Sequence, residues 1–197
     1  MRFFDALTSI STALLLFLAY VQWRGNRRLQ RAYISAEPHG VRSMRGAESL
    51  ILSHIAFHNV GQTAAREITC RVKTEWSSDR KFNPPRIENE ELEGTYIIPA
   101  RGRMIQGSPT ATYPATEPRE YLYVWGSIHY QDGFGRRRFT DFCHRYHRNS
   151  MVRDDGFYKA DSDEARHHEH GNDADRDPPW WQFWKFLPPL RGKHRVS

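Results

Sequence analysis

Two cysteines in 197 residues, Cys70 and Cys143, are too few for a disulfide scaffold, and they could pair only in an oxidising compartment. The sequence also lacks a Cys-x-x-Cys, a Gly-x-Ser-x-Gly elbow, a phosphate-cradling glycine loop and a His-Glu-x-x-His. Those absences remove the common signatures of thiol redox, serine hydrolysis, nucleotide binding and zinc hydrolysis. Residues 32–148 contain no amphipathic helix of convincing length, and long apolar runs are confined to one place, the first thirty residues.

There an apolar stretch from Ala6 to Trp23 leads straight into Arg24, Arg27, Arg28 and Arg31. Its centre is Leu14, Leu15, Leu16, Phe17 and Leu18, and only the hydroxyls Thr8, Ser9, Ser11 and Thr12 interrupt its first half. Eighteen helical residues rise about 27 Å, near the hydrocarbon thickness of a bilayer. Tyr20 and Trp23 stand at one end, where aromatic rings favour the interface, and the arginines beyond them stop insertion. The stretch predicts a transmembrane anchor. A cleaved secretory signal fits less well, because Asp5 offsets Arg2 and Leu18 to Trp23 puts bulky side chains where a peptidase needs small ones. A buried core helix would need a polar face, which the stretch barely has. One arginine before the stretch and four after it favour the cytoplasmic side for the domain beyond the anchor, with a periplasmic domain as the alternative.

The net charge of +6 looks like a nucleic-acid signal until it is divided along the chain. Residues 1–31 carry five basic side chains against one acid, residues 32–148 carry 16 against 13, and residues 149–197 carry eight against nine. Much of the excess is juxtamembrane, where each basic residue gains about 1 kcal/mol near anionic lipid. Nucleic acid is therefore not an expected partner; the lipid bilayer is.

Between residues 32 and 148 the apolar period is two. In Arg66 to Trp76, Ile68, Cys70, Val72, Thr74 and Trp76 alternate with polar residues, which gives one buried and one wet face. From Tyr121 to Tyr130, Leu122, Val124, Gly126, Ile128 and Tyr130 fall on one side and Tyr123 and Trp125 on the other, so both faces are expected to be covered. Further strands are expected at Ala32–Glu37, Leu50–His58, Thr95–Ile98, Arg103–Gln106 and Arg136–Tyr146. Turns at Asn59-Val60-Gly61-Gln62, Pro99-Ala100-Arg101-Gly102 and Gln131-Asp132-Gly133-Phe134-Gly135 separate them. Seven short strands with such turns predict an antiparallel β-sandwich. Ser77–Gly94, with Pro84-Pro85 and the acids Glu88, Glu90, Glu91 and Glu93, is expected to be an exposed crossing loop, its acids solvated rather than caged around a cation.

The Asn59-Val60-Gly61-Gln62-Thr63-Ala64-Ala65 turn, preceded by Ile55-Ala56-Phe57-His58, resembles the strand-turn-strand signature of immunoglobulin-like modules. With the late block Tyr130-Gln131-Asp132-Gly133-Phe134-Gly135-Arg136-Arg137-Arg138-Phe139-Thr140-Asp141-Phe142-Cys143-His144-Arg145-Tyr146, the layout resembles a group of uncharacterised single-span membrane proteins of proteobacteria. The likeness covers roughly residues 10–148. Ala64 stands where such proteins often carry proline, which loosens the turn. The resemblance implies an immunoglobulin-like fold and a bacterial inner-membrane location, and brings no activity with it.

After Ser150 the alternation stops. Asp154–Asp177 holds nine acids against three basic residues and few large apolar side chains beyond Phe157 and Tyr158, a composition that predicts disorder. Arg166-His167-His168-Glu169-His170 offers imidazoles to a metal, weakly without a scaffold. Trp180, Trp181, Phe183, Trp184 and Phe186 come next, and then Arg191, Lys193 and Arg195, an aromatic and basic patch that reads as an interface with lipid, a partner or the domain itself. The expected organisation is thus an N-terminal anchor and basic stretch (1–31), an immunoglobulin-like β-sandwich (32–148) and an acidic disordered tail ending in a tryptophan-rich segment (149–197). His54, His58, His129, His144 and His147 invite a catalytic search, but no carboxylate sits at a spacing that would orient an imidazole. Cys143 reads as a small buried thiol, and Asp132, Asp141 and Arg138 as a polar cluster beside the last hairpin. These features predict no cofactor and a non-enzymatic, membrane-tethered sandwich that binds an unidentified protein or joins an envelope complex. The alternatives are an accessory subunit of a membrane enzyme and a metal or ligand sensor.

Overall fold

The computed structural model describes residues 2–85, 87, 96–114, 118–154 and 156–175. Along the chain come α1 (Arg2–Gln30), β1 (Ile34–Met44), β2 (Ala47–Asn59), β3 (Ala65–Ser77), β4 (Tyr96–Ile98), β5 (Arg103–Gly107), β6 (Ala111–Thr112), β7 (Tyr121–Gln131), β8 (Arg137–His147), β9 (Val152–Asp154), β10 (Phe157–Ala160), β11 (Arg166–His167) and β12 (Asp173–Ala174). The strands form two antiparallel sheets packed as a β-sandwich. One runs β5-β2-β1-β10-β9, with β6 also on β2; the other runs β11-β8-β7-β3-β4, with β12 also on β8.

All seven expected strands form, and in β3 and β7 the inward residues are those the alternation selected. Ile34, Ile51, Ile55 and Phe57 from the first sheet meet Ile68, Val72, Leu122, Val124, Ile128, Phe142 and Tyr146 from the second. Phe57 and Phe142 touch edge to face across the layers at 5.5 Å between centroids. Each such side chain, fully buried, contributes about 1.5–3 kcal/mol. The strand β1 is longer than expected because Pro38-His39-Gly40, which reads as a break, is absorbed by a bulge: pairing with β2 shifts between Pro38 and Val41, and Gly40 takes φ of 93°.

Strand β7 is covered on both sides, as its sequence required. The covering material corrects two expectations. Ser77–Gly94 is not simply an exposed loop: in its described part Phe82 and Ile87 pack on Tyr123, Trp125 and Cys143 as a second small core on the outer face of the sheet. The Tyr123 hydroxyl donates to the carbonyls of Asp79 and Arg80 at 2.8 Å. The chain after Ser150 is not disordered through residue 175 either. A β9–β10 hairpin adds to β1 with Val41 opposite Ala160, and β11 and β12 add to β8. Composition alone predicted disorder because this segment cannot form a core of its own; it folds by borrowing strand edges. The acids Glu88, Glu90, Glu91 and Glu93 and the aromatics Trp180, Trp181, Phe183, Trp184 and Phe186 lie outside the described residues.

The N-terminal helix forms over Arg2–Gln30, with Asp5 in its first turn and Arg27 and Arg28 in its last, as the helix dipole favours. Among the described residues, however, no helix is long and apolar enough to cross a membrane. The hydroxyls Thr8, Ser9, Ser11 and Thr12 dilute the first half of Ala6–Trp23, and Gln22, Arg24 and Asn26 break up its far end. The expected full span is corrected accordingly.

The Asn59 turn knits the sandwich to this helix. Its buried amide accepts from the backbone N–H of Tyr33 (3.3 Å) and Gly61 (3.1 Å), and donates to the carbonyls of Thr63, Ile98 and Pro99 at 2.8–3.2 Å. A Cβ at Gly61 would collide with the Arg31 carbonyl, so the turn must keep glycine to lie against the start of β1. Replacing Asn59 by Ala strands five backbone groups, and a loss of about 3 kcal/mol is expected in urea unfolding.

The two thiols are separated by the sheet. Cys70 packs toward the inter-sheet core and Cys143 belongs to the outer cluster, with β7 between their strands. Two strand spacings, about 10 Å, and opposite faces exceed what a disulfide can bridge. The expected dependence of pairing on compartment is therefore replaced by a geometric bar. Burial pushes Cys70 up to about 11 and Cys143 up to about 12. Alkylation near pH 8 should be slow in the native chain and complete at both sites once unfolded without reductant; recovery of an internal 70–143 disulfide would contradict this arrangement.

Candidate functional site

Two features stand apart from the packing of the sandwich: the surface of α1 and a groove at the open side between the sheets. On α1, Leu14, Leu15, Leu16, Phe17 and Leu18 are each more than half exposed, as are Ile10 and Trp23. Five consecutive residues at 100° apiece encircle the helix, so the apolar surface is a girdle rather than a stripe. A helix apolar on all sides belongs in a core or in lipid, and the sandwich does not cover this one. Its hydroxyls are satisfied internally: Thr8, Ser9 and Thr12 each donate to the carbonyl four residues earlier at 2.8 Å.

The groove, about 790 Å³ and open to solvent, lies where β1 of one sheet faces β8 of the other and the tail strands β11 and β12 form its outer wall. Tyr33, Ser35, Asp141, His167 and Asp173 are among the side chains that line it. Thr140 ties its floor by donating to the carbonyl of Ile34 at 3.0 Å. The outer wall is held by His168, expected only as a metal ligand, and by Asn172, which the sequence reading did not single out. His168 N–H donates to the carbonyl of Cys143 (3.0 Å), while Asn172 Oδ1 accepts from Cys143 N–H (2.9 Å), so a side chain completes the ladder where the tail bulges away. The Nε2 of His168 lies 2.6 Å from the carbonyl of Phe82 and must carry the proton there.

Arg138 and Asp132 form a buried ion pair at 3.1 Å, and Asp132 also accepts from the N–H groups of Phe134 and Arg136 to shape the β7–β8 hairpin. Arg138 makes a second pair with Asp175, pinning the end of the described tail. Asp141, expected in this cluster, lines the groove instead.

The histidine tract splits, with the His168 and His170 rings 5.6 Å apart and His167 turned toward His144. His168 is buried under the 79–87 segment, His167 sits edge-on to His144 at 4.9 Å, and His170 faces outward beside Glu169 at 3.7 Å. Among the described residues no three His, Cys, Asp or Glu are grouped to hold a metal ion. His58 approaches Glu37 at 3.5 Å, and partial burial together with His39 and Arg42 lowers the pKa of His54. His144 is the unusual one: fully buried, stacked on Phe142, with neither ring nitrogen in a hydrogen bond of normal geometry. Burial, reinforced by His167, lowers its pKa to about 4 against weak opposition from the Ala36 backbone. It is held neutral as packing material. Compared with protein-family models, curated proteins and solved structures, the chain matches none of them. Its functional reading rests on this geometry.

Because the folded pKa of His144 lies below the unfolded value of 6.5, the unfolded chain binds the extra proton. The stability this neutral group supports is complete above pH 6.5 and falls as pH drops toward 4, by up to about 3 kcal/mol. Urea unfolding at pH 7.5 and 4.5 should show that loss in the parent chain and a clearly smaller one in His144→Phe; equal losses in both would refute the assignment.

Proposed function

We propose that this protein is a membrane-tethered, non-enzymatic, immunoglobulin-like sandwich that presents a binding surface to a protein partner, as a module of an envelope complex at a bacterial inner membrane. The observation that carries the reading is the all-round apolar girdle of α1, exposed through Leu14–Leu18 and joined to β1 by three residues. In water such a surface would be an aggregation liability; in lipid it is stabilising. Back-bonded hydroxyls at Thr8, Ser9 and Thr12 reduce the cost of that transfer. In this reading the girdle embeds in lipid without a full crossing, and Arg24 and Arg27 snorkel to the headgroups. The arginine flank favours the cytoplasmic side for the sandwich. Non-enzymatic action is supported by the employment of the polar groups, since His168, Asp132 and Arg138 are all engaged in holding the fold.

The groove beside β1 and β8 supports a second reading, a ligand sensor, because its outer wall is a docked tail segment whose position a ligand could alter. Affinity capture of the full chain from solubilised membranes separates the two: a reproducible stoichiometric partner supports the module, and a bound small molecule with no partner supports the sensor.

Carbonate washing of membranes should leave the full chain in the pellet, and removing residues 1–31 should release it. A truncated chain that still pellets would transfer the tether to another part of the molecule and end the role given to α1.

A further inference from the structure

We propose that the pole of the sandwich where α1 enters is a docking surface for anionic phospholipid headgroups, so that the domain lies against the membrane instead of hanging from it. The proposal rests on the reading of α1 as a lipid-embedded helix and goes beyond it. Three connections meet at this pole: residues 60–64, 99–102 and 132–136, all at strand ends that adjoin the start of β1. They and the strand ends beside them carry Arg66, Arg101, Arg103, Arg136 and Arg137. The acids in the same stretches are Glu67 and Asp132, and the second is buried against Arg138. With Arg24, Arg27, Arg28 and Arg31 at the end of α1, nine arginines from four separate segments gather at one end of the molecule. The sequence shows only the last four as a cluster.

Depth is set by a cation–π bridge. The Arg27 guanidinium lies 4.8 Å from the Trp23 ring and 4.4 Å from the Phe134 ring, so the β7–β8 hairpin rests beside α1 only four residues beyond Trp23. Four residues of helix rise about 6 Å. The headgroup layer outside the hydrocarbon is about 5–8 Å thick, so with Trp23 at the interface the hairpin sits at headgroup level. Arg101 adds an independent sign. It is exposed in the Pro99–Gly102 turn, on a segment separate from the helix, and faces solvent at the same end of the sandwich. Anionic lipid matches the surface: each arginine at a headgroup adds attraction that decays within a Debye length of about 8–10 Å.

The test uses the full chain reconstituted into vesicles of neutral phosphatidylcholine, or of phosphatidylcholine with phosphatidylglycerol, with hydrogen exchange then measured on peptides covering residues 99–103 and 132–137. Exchange should slow several-fold in the anionic vesicles only, recover at high salt, and fail to slow in the triple variant Arg101→Gln, Arg103→Gln, Arg137→Gln, whose exposed side chains can be replaced without disturbing the core. Equal exchange in both vesicle types overturns the docking surface while leaving α1 in place. If the chain does not co-float with neutral vesicles, the reading of α1 fails; docking then stands only if anionic vesicles alone are bound and the triple variant is not. Inorganic phosphate added to the detergent-solubilised chain should give no protection, and protection by phosphate alone would reject lipid as the occupant.

Discussion

Strand β7 carries bulky apolar side chains on both faces, and the rest of the structure answers the need to keep both dry. Leu122, Val124 and Ile128 face one way and Tyr123 and Trp125 the other. The first set is covered by the opposing sheet through Phe57, Ile51 and Ile55. The second requires a cover that no sheet supplies, and the chain provides it with Phe82 and Ile87 before β4 and with His168 after β10. A segment too polar to fold alone is thereby ordered, because apolar surface already present on β7 offsets the entropy lost in holding it there.

Several polar groups buried by this arrangement are matched to partners. Asn59 satisfies five backbone groups at the helix-proximal pole, and Asp132 does the same for the last hairpin while neutralising Arg138. Asp175 completes the Arg138 pair from the tail, so hairpin geometry and tail docking share one guanidinium. Thr63, Trp76, Trp125, Tyr146 and His144 bury polar atoms outside any hydrogen bond of normal geometry, and His144 does so with both ring nitrogens. It occupies a core position as a neutral aromatic with both nitrogens unsatisfied, which ties the integrity of the open side of the sandwich to pH.

Function, on this reading, divides between the pole that receives α1 and the groove that runs from it along one side of the sandwich. The pole that receives α1 gathers arginines and a short aromatic contact through Phe134, whereas the groove opens along the side where β1, β8 and the docked tail meet. A tether only three residues long limits how far the domain can swing, since three extended residues span about 10 Å. A partner approaching along the membrane would meet the groove and the strand edges, and the arginine pole would be turned toward lipid.

Alternation at period two was enough to locate seven strands and the inward faces of β3 and β7, because each pattern is local and the pleat sends neighbours to opposite faces. The apolar girdle of α1 and its arginine flank were equally legible, although the length of run that counts toward crossing a bilayer was not. Other features depended on contacts between residues far apart in sequence. Composition could not announce that residues 152–175 would add strands to β1 and β8, since the stabilising surface belongs to those partners and not to the segment. Spacing could not show that Cys70 and Cys143 lie on opposite faces of one sheet, that His167 turns away from His168 and His170 toward His144, or that arginines from four segments meet at one pole. The sequence by itself determined which side chains must leave water; only the tertiary structure decided which of them meet, because that choice is made by strand order and register, and these are properties of pairs of segments that no single stretch of chain contains.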